Sequence, residues 1–142
     1  MPSLFPPSNH IPGDQSFTKY STTPPTSGPH WSLRSPSAPA PCEIYDTEIR
    51  DERIVHNMEH GHIVVNHNLQ DPQQVADLEQ AVRDISTWRL WLIVRPYSKI
   101  EPGEVAIASW GWLQRFQGVD AQGIRDFYDA HRGQGPEFAP CV

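Results

Sequence analysis

A chain of 142 residues has room for one hydrophobic core and not for two. Its formal charge of −6 and pI near 5.5 argue against nucleic acid as a partner, since that role needs a basic stripe. No apolar run approaches the ~18–20 residues that cross a bilayer, so no membrane span is expected.

Residues 1–41 hold ten of the fifteen prolines. Stretches such as "TTPPTSGPHW" and "SPSAPAP" favour polyproline and turn geometry, and the residues before proline are steered away from helix. This part is expected to be an extended, proline-rich arm, with residues 42–142 forming a single domain. The arm also carries Leu4, Phe5, Ile11, Phe17, Tyr20 and Trp31, apolar groups that a bare linker has no use for. They are expected to dock on the domain or on a neighbouring copy.

Beyond the arm, His62–His67 is rich in Ile and Val and reads as a strand. Asp71 followed by Pro72 predicts a helix start, with Gln74 placed as a capping-box partner. Val75, Leu78, Val82 and Ile85 then recur at helical spacing, predicting an amphipathic helix over 72–86. "RLWLIVR", 89–95, is a continuous apolar run expected as a central strand, and "EVAIASW", 104–110, as the next. Asp120 caps a last helix whose Ile124, Phe127, Tyr128 and His131 share a face, ended near Gly133. The order β-α-β-β-α predicts an α+β fold: a mixed sheet with two helices packed mainly on one face. Trp110-Gly111-Trp112 is expected to be core packing with a backbone bend.

Four of the seven histidines fall in residues 54–67, "IVHNMEHGHIVVNH". Residues 56–60 spell H-x-x-E-H, the zinc-protease pattern in which two histidines on one helical face hold the ion. That pattern needs a full helix, whereas Gly61 and "HIVV" follow at once, so turnover is not expected. A non-catalytic metal site fits better, because imidazole suits zinc, copper and nickel, and a thioether adds preference for Cu(I). The candidate ligands are His30, swung back from "SGPHW", with His56 and His60, and Met58 or Glu59 as a further group. One transition-metal ion is expected, copper ahead of zinc. His62 and His67 lie on opposite parities of their strand and are expected to be bystanders; His10 and His131 have no evident partner in the sequence.

Cys42 and Cys141 are the two cysteines and bracket the domain. A disulfide between them would close a long loop, where the chain-entropy gain is largest. With two lysines only and many Pro, Ser and Thr, this points to an extracytoplasmic address, although "MPSLFPPSNHIPGDQ" has no signal-peptide pattern and the leader would be absent from this sequence.

Four motifs, "PPTSGPHW", "ERIVHNMEHGHIVV", "ASWG" and "HRGQGPE", occur in that order. Together they resemble, over roughly residues 20–138, the family known as domain of unknown function 3105, whose bacterial and archaeal members are usually exported. The resemblance implies a shared domain, an exported setting and histidine-bearing motifs; the family has no established activity to lend. Its motif positions here are His30, His56, Glu59, His60 and Gly61. The sequence therefore predicts an exported metal-binding domain with a metal-handling role. The rival expectation is a structural protein that assembles with itself, as an oligomer or filament, by docking residues 1–20 on the next copy.

Overall fold

The computed structural model describes residues 10–12, 15–32 and 38–141. Leu4, Phe5 and the remainder of residues 1–9, together with 33–37, lie outside the described residues. The fold is α+β. Two short strands, β1 (His10–Ile11) and β2 (His30–Trp31), pair in parallel. They are followed by helix α1 (Asp51–Glu59), strand β3 (Ile63–His67), helix α2 (Pro72–Arg83), the single helical turn α3 (Trp88–Trp91), strands β4 (Leu92–Pro96), β5 (Glu104–Ser109) and β6 (Trp112–Gln117), and helix α4 (Ala121–His131).

The main sheet runs β4-β3-β5-β6. β3 is parallel to β4 across the α2–α3 crossover and antiparallel to β5. All five residues of β3 are buried, because both faces of the sheet are covered, and a strand so placed loses its alternation. On one face Ile63, Val65, Leu92, Val94, Val105 and Ile107 pack under α2 and α4, through Leu78, Val82, Ile124, Phe127 and Tyr128. These are the two expected helices. Both start at the predicted cap residue: Asp71 accepts from the Gln73 amide, in place of the expected capping box with Gln74, and Asp120 accepts from the Gly123 amide.

The opposite face carries a helix that the sequence pattern does not announce. Val64, Ile93 and Ala108 meet Ile54, Val55 and Met58 of α1, with Ala40 and Cys42 beside them. Two other elements differ from expectation. Residues 88–91 form a helical turn before β4 begins. β6, unforeseen, closes a hairpin with β5 through Trp110 and Gly111, so the expected bend is a hairpin turn. Trp112 is 52% exposed and stacks on His131 instead of joining the core.

Residues 24–31 are buried against the body. The Tyr20 hydroxyl donates to the Pro29 carbonyl, the Trp31 indole donates to the Gln15 carbonyl, and the Phe17 amide donates to Glu52. The described part of residues 10–20 thus rests on its own domain. Cys42 and Cys141 are joined, with Cα atoms 6.0 Å apart across a separation of 99 residues. No helix among the described residues is long and apolar enough to cross a membrane.

Candidate metal centre

Helix α1 is amphipathic in an inverted sense. Its apolar residues Ile54, Val55 and Met58 face the sheet, while Glu52, His56 and Glu59 form a second face that is buried too, each 3% exposed or less. What covers this polar face is the arm. β2 lies across it and delivers His30, wholly buried; β1 delivers His10, whose side chain is 38% exposed. His60, the C-terminal cap of α1, continues the polar face one residue on, since positions i, i+3 and i+4 of a helix are neighbours.

Five side chains therefore converge from three segments. One ligand atom each of His10, His30 and His56 lies within 4.8 Å of the others, and the same holds for His56, Glu59 and His60. Backbone carbonyls set the tautomers of the two deepest imidazoles. His30 Nδ1 donates to the Gly28 carbonyl at 2.8 Å, and His56 Nδ1 donates to the Trp31 carbonyl at 2.5 Å. That leaves Nε2 of each ring as the nitrogen available to a ligand or partner. This is the arrangement that orients metal-bound histidines, in which the other ring nitrogen donates to a carbonyl. His30 Nε2 is buried without a hydrogen-bond partner, although Oε2 of Glu59 stands 3.2 Å away. A proton on Nε2 makes this contact an ion pair, and a metal cation held between the imidazole and the carboxylate would bind the same two atoms. His10 Nε2 lies 3.3 Å from the other carboxylate oxygen of Glu59.

Burial lowers the pKa of His56 to about 4 and also lowers that of His60, so both rings are neutral and able to coordinate at pH 7. Burial by itself would raise Glu59, but the surrounding His30, Glu137 and His10 outweigh it and hold the carboxyl below its usual range. Glu137 is displaced upward by Glu59 next to it.

Of the residues expected at the site, His30, His56, Glu59 and His60 come together. Met58 does not: it points to the opposite side of α1, fully buried among the apolar residues over the sheet. His10, without a partner in the sequence, joins the cluster, because only the parallel pairing of β1 with β2 places it beside His30. His62 is occupied elsewhere, accepting from Asn57 at Nδ1 and donating to the Ala139 carbonyl at Nε2. His67 lies in its strand and accepts from the Leu69 amide.

Burial also lowers His62 to about 4. Unfolded, His56 and His62 titrate near 6.5. Below that pH the unfolded chain takes up protons that the folded chain refuses, so stability present above about pH 6.5 is lost as the pH falls toward 4, by roughly 3 kcal/mol per ring at full extent. Metal-free protein should show a urea midpoint that drops steadily between pH 7 and pH 4.5. A midpoint constant over that range would show that these rings protonate freely in the folded state.

The fold and the site define a small α+β domain with a buried histidine–carboxylate centre clamped between a helix and an N-terminal segment. The family model for proteins of unknown function DUF3105 matches residues 10–142, and the chain belongs to that family. No curated protein and no solved structure matches it.

Proposed function

We propose that this domain binds one transition-metal ion and serves to hold or hand on that metal, without turnover. His30, His56 and Glu59 would form its deep ligands, with His10 and His60 on the rim. The observation that carries the reading is the convergence of His10, His30 and His56, and of His56, Glu59 and His60, with the Nδ1 of His30 and of His56 committed to backbone carbonyls and Nε2 left for a ligand. A histidine and carboxylate donor set suits borderline divalent ions. Copper ranks ahead of zinc here on the general affinity order of the divalent series, since Met58 offers no thioether. The helix that the H-x-x-E-H pattern requires is present over 51–59. Glu59, however, sits against His30 and His10 inside the ligand set, where it neutralises charge and is poorly placed to activate a water. The disulfide supports an extracytoplasmic address.

Protein isolated without chelator should contain close to one equivalent of copper or zinc by elemental analysis. Protein that is isolated empty and takes up neither Cu²⁺ nor Zn²⁺ on titration would end this reading.

Self-assembly is the second reading, and the feature that favours it is β6. This is an edge strand with no strand on its outer side among the described residues, and such an edge accepts an added strand from another copy. Deleting residues 2–9 leaves His10 in place and should convert an oligomer to a monomer by light scattering. An unchanged mass would show that this segment is not the connector.

A further inference from the structure

The metal centre has a deep side and a rim, and the rim is partly built by residues 133–141. After α4 the chain doubles back along the C-terminal end of α1. The Gly133 amide donates to the Gly61 carbonyl, the Glu137 amide to the Glu59 carbonyl, and the Ala139 amide to the His60 carbonyl. Gly135 allows this approach: a Cβ there would stand 2.6 Å from the Glu59 carbonyl oxygen and 2.7 Å from the Gly61 nitrogen, backbone atoms that cannot give way. The strap so held carries Glu137, whose Oε1 is 4.0 Å from His60 Nε2 and whose side chain is half exposed.

Between the strap and residues 39–41 runs a groove of about 340 Å³ with His60 among its lining residues. Its two walls, Pro39–Pro41 and Ala139–Cys141, lie next to Cys42 and Cys141. The disulfide therefore ties together the two segments that flank the partly open side of the site.

Building on the metal-binding reading, we propose that Glu137 is a rim ligand of the bound metal and that the Cys42–Cys141 disulfide latches the strap carrying it, so that reduction opens the site and frees the ion. The reductant is a dithiol. Its two sulfurs form a new S–S bond, its two protons pass to Cys42 and Cys141, and the protein S–S bond breaks with two electrons gained. The strap then keeps its backbone hydrogen bonds to the end of α1, the His62–Ala139 and Cys141–Leu90 hydrogen bonds and the packing of Phe138 on Trp91, but loses its covalent tie to the segment ending at Cys42. His30, His56 and Glu59 stay in place, because the arm and the sheet hold them independently of the strap.

The test loads the oxidised full-length protein with Zn²⁺ or Cu²⁺ and follows transfer to an excess chelator. Uptake by the oxidised protein checks the metal reading first and separately. Release should then be faster by on the order of tenfold in the Cys42→Ser/Cys141→Ser variant, which has no thiols to capture the ion, and by a similar factor in Glu137→Gln. Glu137→Gln, changed at an exposed side chain, keeps the proposal testable if the cysteine variant fails to fold by circular dichroism. Metal uptake with release rates equal to wild type in Glu137→Gln overturns the ligand assignment. Equal rates in a folded cysteine variant overturn the latch, and either result leaves the metal site standing.

Discussion

His56→Ala should abolish metal retention, and His30→Ala should do the same. Both rings are buried, and both have Nδ1 tied to a backbone carbonyl, so each presents its remaining nitrogen in a fixed position that alanine cannot supply. Changing groups that merely orient a ligand lowers metal affinity by about 10–100-fold, so loss of a ligand itself should exceed that range. The effect should be graded by depth. His10→Ala removes a partly exposed ring on a two-residue strand and should weaken binding without eliminating it. Met58→Leu, a swap of similar volume in the apolar layer, should leave metal content unchanged and cost less than about 1.5 kcal/mol. His131→Ala, whose ring contacts Trp112 and Phe127 and belongs to none of the candidate ligand groups among the described residues, should also retain full metal. Elemental analysis of the folded variants distinguishes these cases. A full equivalent of metal in the His30→Ala/His56→Ala double variant would sink the assignment.

What the sequence revealed and what it hid follow from one physical contrast. α2 and α4 are legible because each has one wet face and one dry face, so Leu78 and Val82, or Ile124, Phe127 and Tyr128, stand out at helical spacing. β4 and β5 are legible as unbroken apolar runs because both sheet faces are covered. α1 fails that test. Glu52, His56, Asn57 and Glu59 read as solvent-facing, yet all four are buried, their polar face covered by the arm or hydrogen-bonded inside. No capping side chain marks its start at Arg50 either. β6 hides for the opposite reason: as an edge strand its partly buried residues fall at Leu113 and Phe116, three apart, and the two-residue period is lost. Within the site, the clustering of His56, Glu59 and His60 was visible as local spacing, and the rigid Gly28-Pro29 turn flagged His30. His10 was invisible because nothing near it in sequence records that β1 will lie beside β2. Met58 attracted notice by proximity alone, and the turn of the helix carries it to the other side.

Asp51→Ala should destabilise the protein by about 3–5 kcal/mol, the cost of leaving a buried guanidinium without its counter-charge. Arg95, on β4, is fully buried beneath the start of α1. It donates to Asn66 Oδ1 at 2.6 Å, to the Ile49 carbonyl at 2.6 Å and to Asp51 at 2.8 Å, and its guanidinium lies 4.2 Å from the centre of the Tyr97 ring. Asp51 accepts in addition from the Tyr97 hydroxyl. This network pins the first turn of α1 to the sheet, and the rest of this nine-residue helix, about two and a half turns in all, then fixes where His56 and Glu59 stand. For a domain whose whole stability is ordinarily about 5–15 kcal/mol, the loss should be plain as a lowered urea midpoint at pH 7. Arg95→Met should be similarly costly, since it strips donors from Asn66, Ile49 and Asp51 together. The double variant should be less destabilised than the sum of the two, because removing both charges leaves neither one buried alone. Metal affinity should weaken in Asp51→Ala, though the residue is no ligand, because the helix that presents the ligands is loosened at its root. If the two single costs simply add, and metal affinity holds at the wild-type value, the Arg95–Asp51 pair does not position α1.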